Sequence, residues 1–112
     1  MIQSALIIDD EMDICILLSG YLKKRNIDAH YTLTLREGMA KLASLQPDVL
    51  FLDNNLPDGS GIDIIEEIRN KTGKIKIVVI SAMSNLKEKA LASSADAFLD
   101  KPINFDNILD VL

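Results

Sequence analysis

The feature that most constrains this chain is a strict alternation. Short apolar or β-rich runs are separated by segments whose apolar residues recur at helical spacing. This is the pattern of βαβ units, and right-handed crossovers then place helices on both faces of one parallel sheet. Strands are expected at Ala5–Ile8, Asp28–Tyr31, Val49–Asp53, Lys76–Ser81 and Ala97–Asp100. The second is the most polar and is assigned to a sheet edge. Helices are expected over Glu11–Arg25, from Thr34 to about Leu45, around Ile62–Lys71, over Asn85–Ser94, and from Asn104 to Leu112.

Local signals set the boundaries. Thr34-Leu35-Arg36-Glu37 has the spacing of a capping box, Asn26 stops the first helix, and Pro47 ends the second. In the first helix Ile14, Leu17, Leu18, Tyr21 and Leu22 are expected to face the sheet, with Cys15 half-buried. The fourth helix has a thin apolar face of Leu86, Ala90 and Leu91.

Four of the runs end on residues suited to phosphoryl chemistry. Ala5–Ile8 leads into Asp9–Asp10, Val49–Leu52 into Asp53, Ile77–Ile80 into Ser81, and Ala97–Leu99 through Asp100 into Lys101. In open α/β sheets ligands bind at the carboxyl edge of the strands. Each residue alone has a plain structural explanation, since Asp pairs often cap helices. Four such residues at four strand ends, with no spare polar residue inside the runs, point to a site. Clustered carboxylates raise one another's pKa unless a cation joins them. Magnesium suits an all-oxygen set, and there is no Cys–His cluster for a softer metal. Asp53 stands apart from the Asp9–Asp10 pair and is the best candidate nucleophile. Lys101 can neutralise phosphoryl charge and Ser81 can donate a hydrogen bond.

Composition removes several alternatives. The chain has 112 residues, enough for one domain, and a net charge of −5. That balance disfavours direct nucleic-acid binding and an anionic membrane surface. The N-terminus lacks the charged and apolar regions of a signal peptide, and Cys15 has no disulfide partner, so a cytoplasmic location is expected. There is no glycine-rich nucleotide motif.

Four motifs in this order resemble the receiver domain of two-component response regulators, over essentially the whole chain. They are Leu6-Ile7-Ile8-Asp9-Asp10-Glu11, the loop from Asp53 to Gly61, Ile80-Ser81-Ala82, and Ala95-Asp96-Ala97-Phe98-Leu99-Asp100-Lys101-Pro102. The resemblance implies a doubly wound, flavodoxin-like α/β fold with strand order 2-1-3-4-5. Residues 1–112 then form a single receiver domain, either standing alone or as the N-terminal part of a longer protein. Asp53 becomes the phosphoacceptor. Asp10, Asp53 and the Asn55 carbonyl become magnesium ligands, with Asp9 assisting through water. Ser81 and Phe98 become the switch pair, and the bond to Pro102 is expected to be cis. The partners implied are a sensor histidine kinase or a histidine phosphotransfer protein, and a downstream effector that reads the fourth helix and fifth strand. Such a domain is a switch rather than an enzyme. Two other readings are a degenerate receiver used only for protein interaction, and an aspartate-nucleophile phosphatase. The phosphatase needs a second acid two residues after the nucleophile, where this chain has Asn55.

The chain departs from the family pattern in one stretch. Ser81 to Lys101 is slightly short, and Ser93-Ser94 replaces a glycine turn. A short or poorly ordered fourth helix is expected there. Met83, two residues after Ser81, is placed to shield a phosphoryl group from water.

Overall fold

The structure is a computed structural model describing residues 2–112. Five parallel strands form the central sheet: β1 (Ser4–Ile8), β2 (Asp28–Thr32), β3 (Val49–Asp53), β4 (Lys76–Ser81) and β5 (Ala97–Asp100). Their order is β2-β1-β3-β4-β5, the doubly wound arrangement expected, with β2 at one edge. The helices are α1 (Met12–Lys23), α2 (Leu35–Leu45), α3 (Ile65–Thr72), α4 (Lys87–Ala92) and α5 (Ile108–Val111). Among the described residues no helix is long and apolar enough to cross a membrane.

The pleat sorts each strand between two cores. Leu6, Ile8, Leu50, Leu52, Ile77 and Val79 face one side and pack with Leu42, Ile65, Ile68 and Ala90 from α2, α3 and α4. Ala5, Ile7, Val49, Phe51, Val78 and Ile80 face the other and pack with Leu18, Leu22 and Ile108 from α1 and α5. Burying a side chain of this size stabilises the fold by about 1.5–3 kcal/mol each. Both faces of the sheet are therefore dry. The polar groups that end the strands are carried to its carboxyl edge.

The inward stripe of α1 differs from expectation. Cys15, Leu18, Ser19 and Leu22 are buried, whereas Leu17 is 60% exposed and Ile16 54% exposed. Two stripes at helical spacing share Leu18 and Leu22. The one chosen brings the small residues Cys15 and Ser19 to the sheet, and hydrophobicity alone favours the other.

The boundaries of α1 and α2 follow their signals, whereas α5 is regular only over Ile108–Val111 after a 3-10 turn at Phe105–Asn107, shorter than the Asn104–Leu112 expected. Asn26 turns the chain at φ 64° and Gln46 at φ 49°, directly before Pro47. Thr34 Oγ1 accepts from the Glu37 amide at 3.1 Å. The Glu37 carboxylate reaches the Thr34 hydroxyl rather than its amide. The first amides of α2 are taken instead by Asp58, whose carboxylate accepts from Leu35 N at 2.8 Å and Arg36 N at 2.9 Å. Those two bonds hold the Asp58 carboxyl below its usual pKa.

α4 is short, six residues after a single 3-10 turn at Ser84–Leu86, as the shortened segment implies. Its trailing turn is fixed by Ser94 at φ 78°, a left-handed conformation that glycine adopts at no steric cost. Arg69 at the end of α3 holds this turn. Its guanidinium donates to Ser94 O at 2.8 Å, to Asp96 Oδ2 at 2.5 Å and to Ile75 O. Asp96 Oδ2 also accepts from Ile77 N at 2.8 Å, so the fork joins α3, β4 and the approach to β5.

After β3 the chain makes a small hairpin in which Asn55–Leu56 pairs with Gly59–Ser60. Gly61 follows at an ordinary φ of −58°. A Cβ there would lie 2.3 Å from Asp53 O and 2.8 Å from Leu52 Cγ. Because the first obstacle is backbone, the loop cannot yield without moving Asp53. Gly61→Ala is expected to cost about 2 kcal/mol or more, within the range for overpacking. Urea unfolding measures it, and an unchanged midpoint would show that the loop relaxes freely.

Candidate functional site

Four strand ends converge at the carboxyl edge. Asp9 follows β1 and is fully buried, Asp53 closes β3 at 3% exposure, and Ser81 closes β4 at 1%. Asp10 is exposed. One carboxylate oxygen from each of Asp9, Asp10 and Asp53 lies within 4.8 Å of the others. Lys101, just beyond β5, brings its ammonium into the same space.

The ammonium meets three carboxylates. Lys101 Nζ is 3.1 Å from Asp9 Oδ2, 3.2 Å from Asp53 Oδ1 and 3.2 Å from Glu11 Oε1. Only the Glu11 contact has hydrogen-bond alignment. Asp9 Oδ2 is buried within ion-pair distance of Lys101 yet accepts no hydrogen bond. The other oxygen of Asp9 accepts from the Glu11 amide at 2.8 Å.

The electrostatics follow from this crowding. Burial, reinforced by the Asp9 charge, pushes the Asp53 pKa up to about 6, with Lys101 and the Asn55 amide acting against the rise. Burial raises Asp9 as well. Burial also opposes the charge on Lys101, but its contacts with Asp9, Asp53 and Glu11 outweigh that and hold its pKa above the ordinary value. Beneath the cluster, burial and the Asp9 charge push the Cys15 thiol up to about 12. It stays protonated and donates to Asp9 O at 3.2 Å. Cys15 is more deeply buried than expected and serves as a structural donor.

The remaining predicted residues take their places around this centre. Ser81 Oγ accepts from the Met83 amide at 3.0 Å, which leaves its proton free to donate elsewhere. Met83 is 45% exposed. Phe98 on β5 is half-buried and packs against the core that Leu86 also joins. Asn55 is exposed in the hairpin that follows Asp53, and the Lys101–Pro102 bond is cis. Asn54 anchors the loop by accepting from Ile62 N at 3.1 Å through its side chain and from Gly61 N at 3.0 Å through its carbonyl.

Residues 5–112 match the family described as the response regulator receiver domain. The chain belongs to that family. Among its relatives is the response regulator protein PilR of Pseudomonas aeruginosa, 32% identical over 112 residues, which cover 98% of this chain and 25% of PilR. The KDP operon transcriptional regulatory protein KdpE of Escherichia coli is 33% identical over 107 residues, covering 94% of this chain and 47% of KdpE. The chain thus spans a quarter to about half of the length of these relatives. A two-component response regulator from Clostridium difficile superposes with a TM-score of 0.90 at 30% identity, over 96% of this chain and 90% of that one. The chemotaxis response regulator CheY4 of Vibrio cholerae superposes at 0.89 over the full length of both chains; at 22% identity it bears on the fold alone. The receiver is therefore a signalling domain of flavodoxin-like fold, from a family that works through phosphorylation and magnesium.

The site fits a magnesium ion on its own chemistry. Three carboxylates lie close together with one buried oxygen that accepts no hydrogen bond, and every donor atom available is oxygen.

Glu11 and Asp58 are the residues that sequence reasoning missed. Glu11 lies in the acidic opening Leu6–Glu11 and at the start of a helix, but sequence reasoning assigned it no contact in the site; its acidity directly after Asp9–Asp10 was the available signal.

The raised pKa of Asp53 sets a pH dependence. Between about pH 6 and the unfolded value of 3.8 the folded protein holds a proton that the unfolded chain releases. Stability from this group therefore falls as pH rises through that window and stays low above it, by up to about 3 kcal/mol. In magnesium-free buffer Asp53→Asn should be more stable than wild type at pH 7, and the gap should close towards pH 4. Urea unfolding of both proteins across that range checks this; a gap that is constant or widens on acidification contradicts it.

Proposed function

We propose that this receiver accepts a phosphoryl group on Asp53 in the presence of magnesium and reports it through α4 and β5. The observation that carries the reading is the position of Asp53 between a half-buried ammonium 3.2 Å away and two further carboxylates. A nucleophile, a fixed positive charge and a cation site meet at one point.

In this reading an Asp53 carboxylate oxygen attacks phosphorus and forms the acyl phosphate O–P bond. The bond from phosphorus to the donor's imidazole nitrogen breaks, and that nitrogen takes a proton as the donor returns to neutral histidine. Asp10, Asp53 and the Asn55 carbonyl would hold magnesium, with Asp9 assisting, and the ion supplies neutralisation of phosphoryl charge. Lys101 moves from its carboxylate contacts to a phosphoryl oxygen. The free proton of Ser81 donates to another, and Phe98 turns inward beside it. The α4 and β5 surface then differs between two states, and a partner that prefers one of them shifts the balance.

The phosphodonor is a sensor histidine kinase or a histidine phosphotransfer protein, and the output is binding to an effector rather than turnover of a substrate. The exposed apolar residues Met12, Ile16 and Leu17 on α1 support a protein partner beside the site. A groove of about 450 Å³ between α1 and the segment after β5, lined by Leu17, Ala82, Pro102 and Phe105, lies against Lys101. The net charge of −5 supports a domain that does not itself bind nucleic acid. The same reading places the domain in the cytoplasm and takes residues 1–112 as one receiver.

Incubation with magnesium and acetyl phosphate should give an acid-stable, base-labile phosphate that peptide mapping places on Asp53, and Asp53→Ala should take none. An unlabelled wild type would favour a pure interaction module, and label persisting in Asp53→Ala would move the acceptor elsewhere.

A further inference from the structure

Of the three carboxylates that meet Lys101, the one aligned to accept its hydrogen bond is neither the nucleophile nor its buried neighbour. It is Glu11, at 3.2 Å. Glu11 differs from the other two in exposure: its side chain is 58% exposed, against none for Asp9 and 4% for Asp53. It stands at the mouth of the site, on the turn between β1 and α1. Its main chain is fixed there, because its amide donates to Asp9 Oδ1 at 2.8 Å. Its side chain makes no capping bond to α1, so the carboxylate has no structural task in the helix it precedes.

Resting on the phosphoacceptor reading above, we infer that Glu11 is a positioning residue that gates access to Asp53 by charge. It acts in two ways. It draws the Lys101 ammonium towards the mouth, so that part of its positive charge is neutralised by a group that takes no part in the transfer. It also sets a fixed negative charge where an incoming phosphoryl group must pass. Both effects oppose an anionic phosphodonor, and they oppose a dianion more than a species of lower charge. A small metabolic phosphate ester or anhydride approaching from solvent meets this charge unaided. A protein donor can offset it with a cation of its own, so the arrangement favours a protein donor over free anions.

The test compares wild type, Glu11→Gln and Glu11→Asp at saturating magnesium. The initial rate of phosphoprotein formation is read by mass spectrometry with two donors of different charge. Acetyl phosphate is a dianion near neutral pH, and phosphoramidate carries less negative charge. Glu11→Gln should label roughly two- to five-fold faster with acetyl phosphate, the range expected for one exposed charge contact. It should gain less with phosphoramidate, and added salt should narrow its advantage. Glu11→Asp keeps the charge and should stay near wild type. A purely structural role would change both donors by one factor and ignore salt. A Glu11→Gln variant that is unchanged, slower, or equally faster with both donors overturns the inference while a labelled wild type leaves the phosphoacceptor reading standing. A wild type that takes no label overturns that reading, and this inference with it.

Discussion

Two buried aspartates and one lysine are the interaction on which the rest of this structure depends. Asp9 and Asp53 are brought together in a dry space where neither charge is favoured. Lys101 comes from the far end of the chain to balance them at 3.1–3.2 Å. In water such contacts contribute little, but inside a protein each is stronger and each unpaired charge costs more. The fold therefore has to hold three strand ends in fixed relation. It does so with apolar strands on both sides, a glycine where a methyl would strike the Asp53 carbonyl, and a protonated thiol beneath Asp9. The result is a site held in tension, in which burial raises the Asp53 pKa and a bound cation would relieve the imbalance.

Much of this was readable from the chain because it depends on local pattern. Alternating apolar runs located the strands, and the pleat made both sheet faces dry. Their terminal residues identified Asp9, Asp10, Asp53, Ser81 and Lys101 as neighbours before any coordinates. Strand order was implied by the family resemblance rather than by periodicity, and the sheet bears it out. The shortened stretch before Lys101 pointed to a short α4, which at six residues is shorter still than the Asn85–Ser94 expected.

What was not readable depends on contacts between residues far apart in the chain. Periodicity could not choose between the two stripes of α1, because the choice turns on how closely the helix approaches the sheet. Small Cys15 and Ser19 allow that approach and Leu17 is left outside. Asp58 caps α2 across 23 positions of sequence, and Glu11 pairs with Lys101 across 90. Both are exposed polar side chains with ordinary local surroundings. Their roles come from where the folded chain places them, and apart from the acidity of Glu11 beside Asp9–Asp10 nothing in a sequence window marks them.

The Arg69 fork gives α4 an uneven mechanical character. One guanidinium fastens the turn after α4 to the end of α3 and to the start of β4. The leading end is held differently, by a single 3-10 turn between Ser81 and Lys87. Six residues of helix thus form a short lever with its fulcrum away from the site and its free arm next to Ser81. A longer helix would spread a push from Ser81 over more contacts. Here any displacement that the proposed switch makes at Ser81 would fall on a few residues around Met83 and Leu86, and its partner would have a small, sharply bounded surface to recognise.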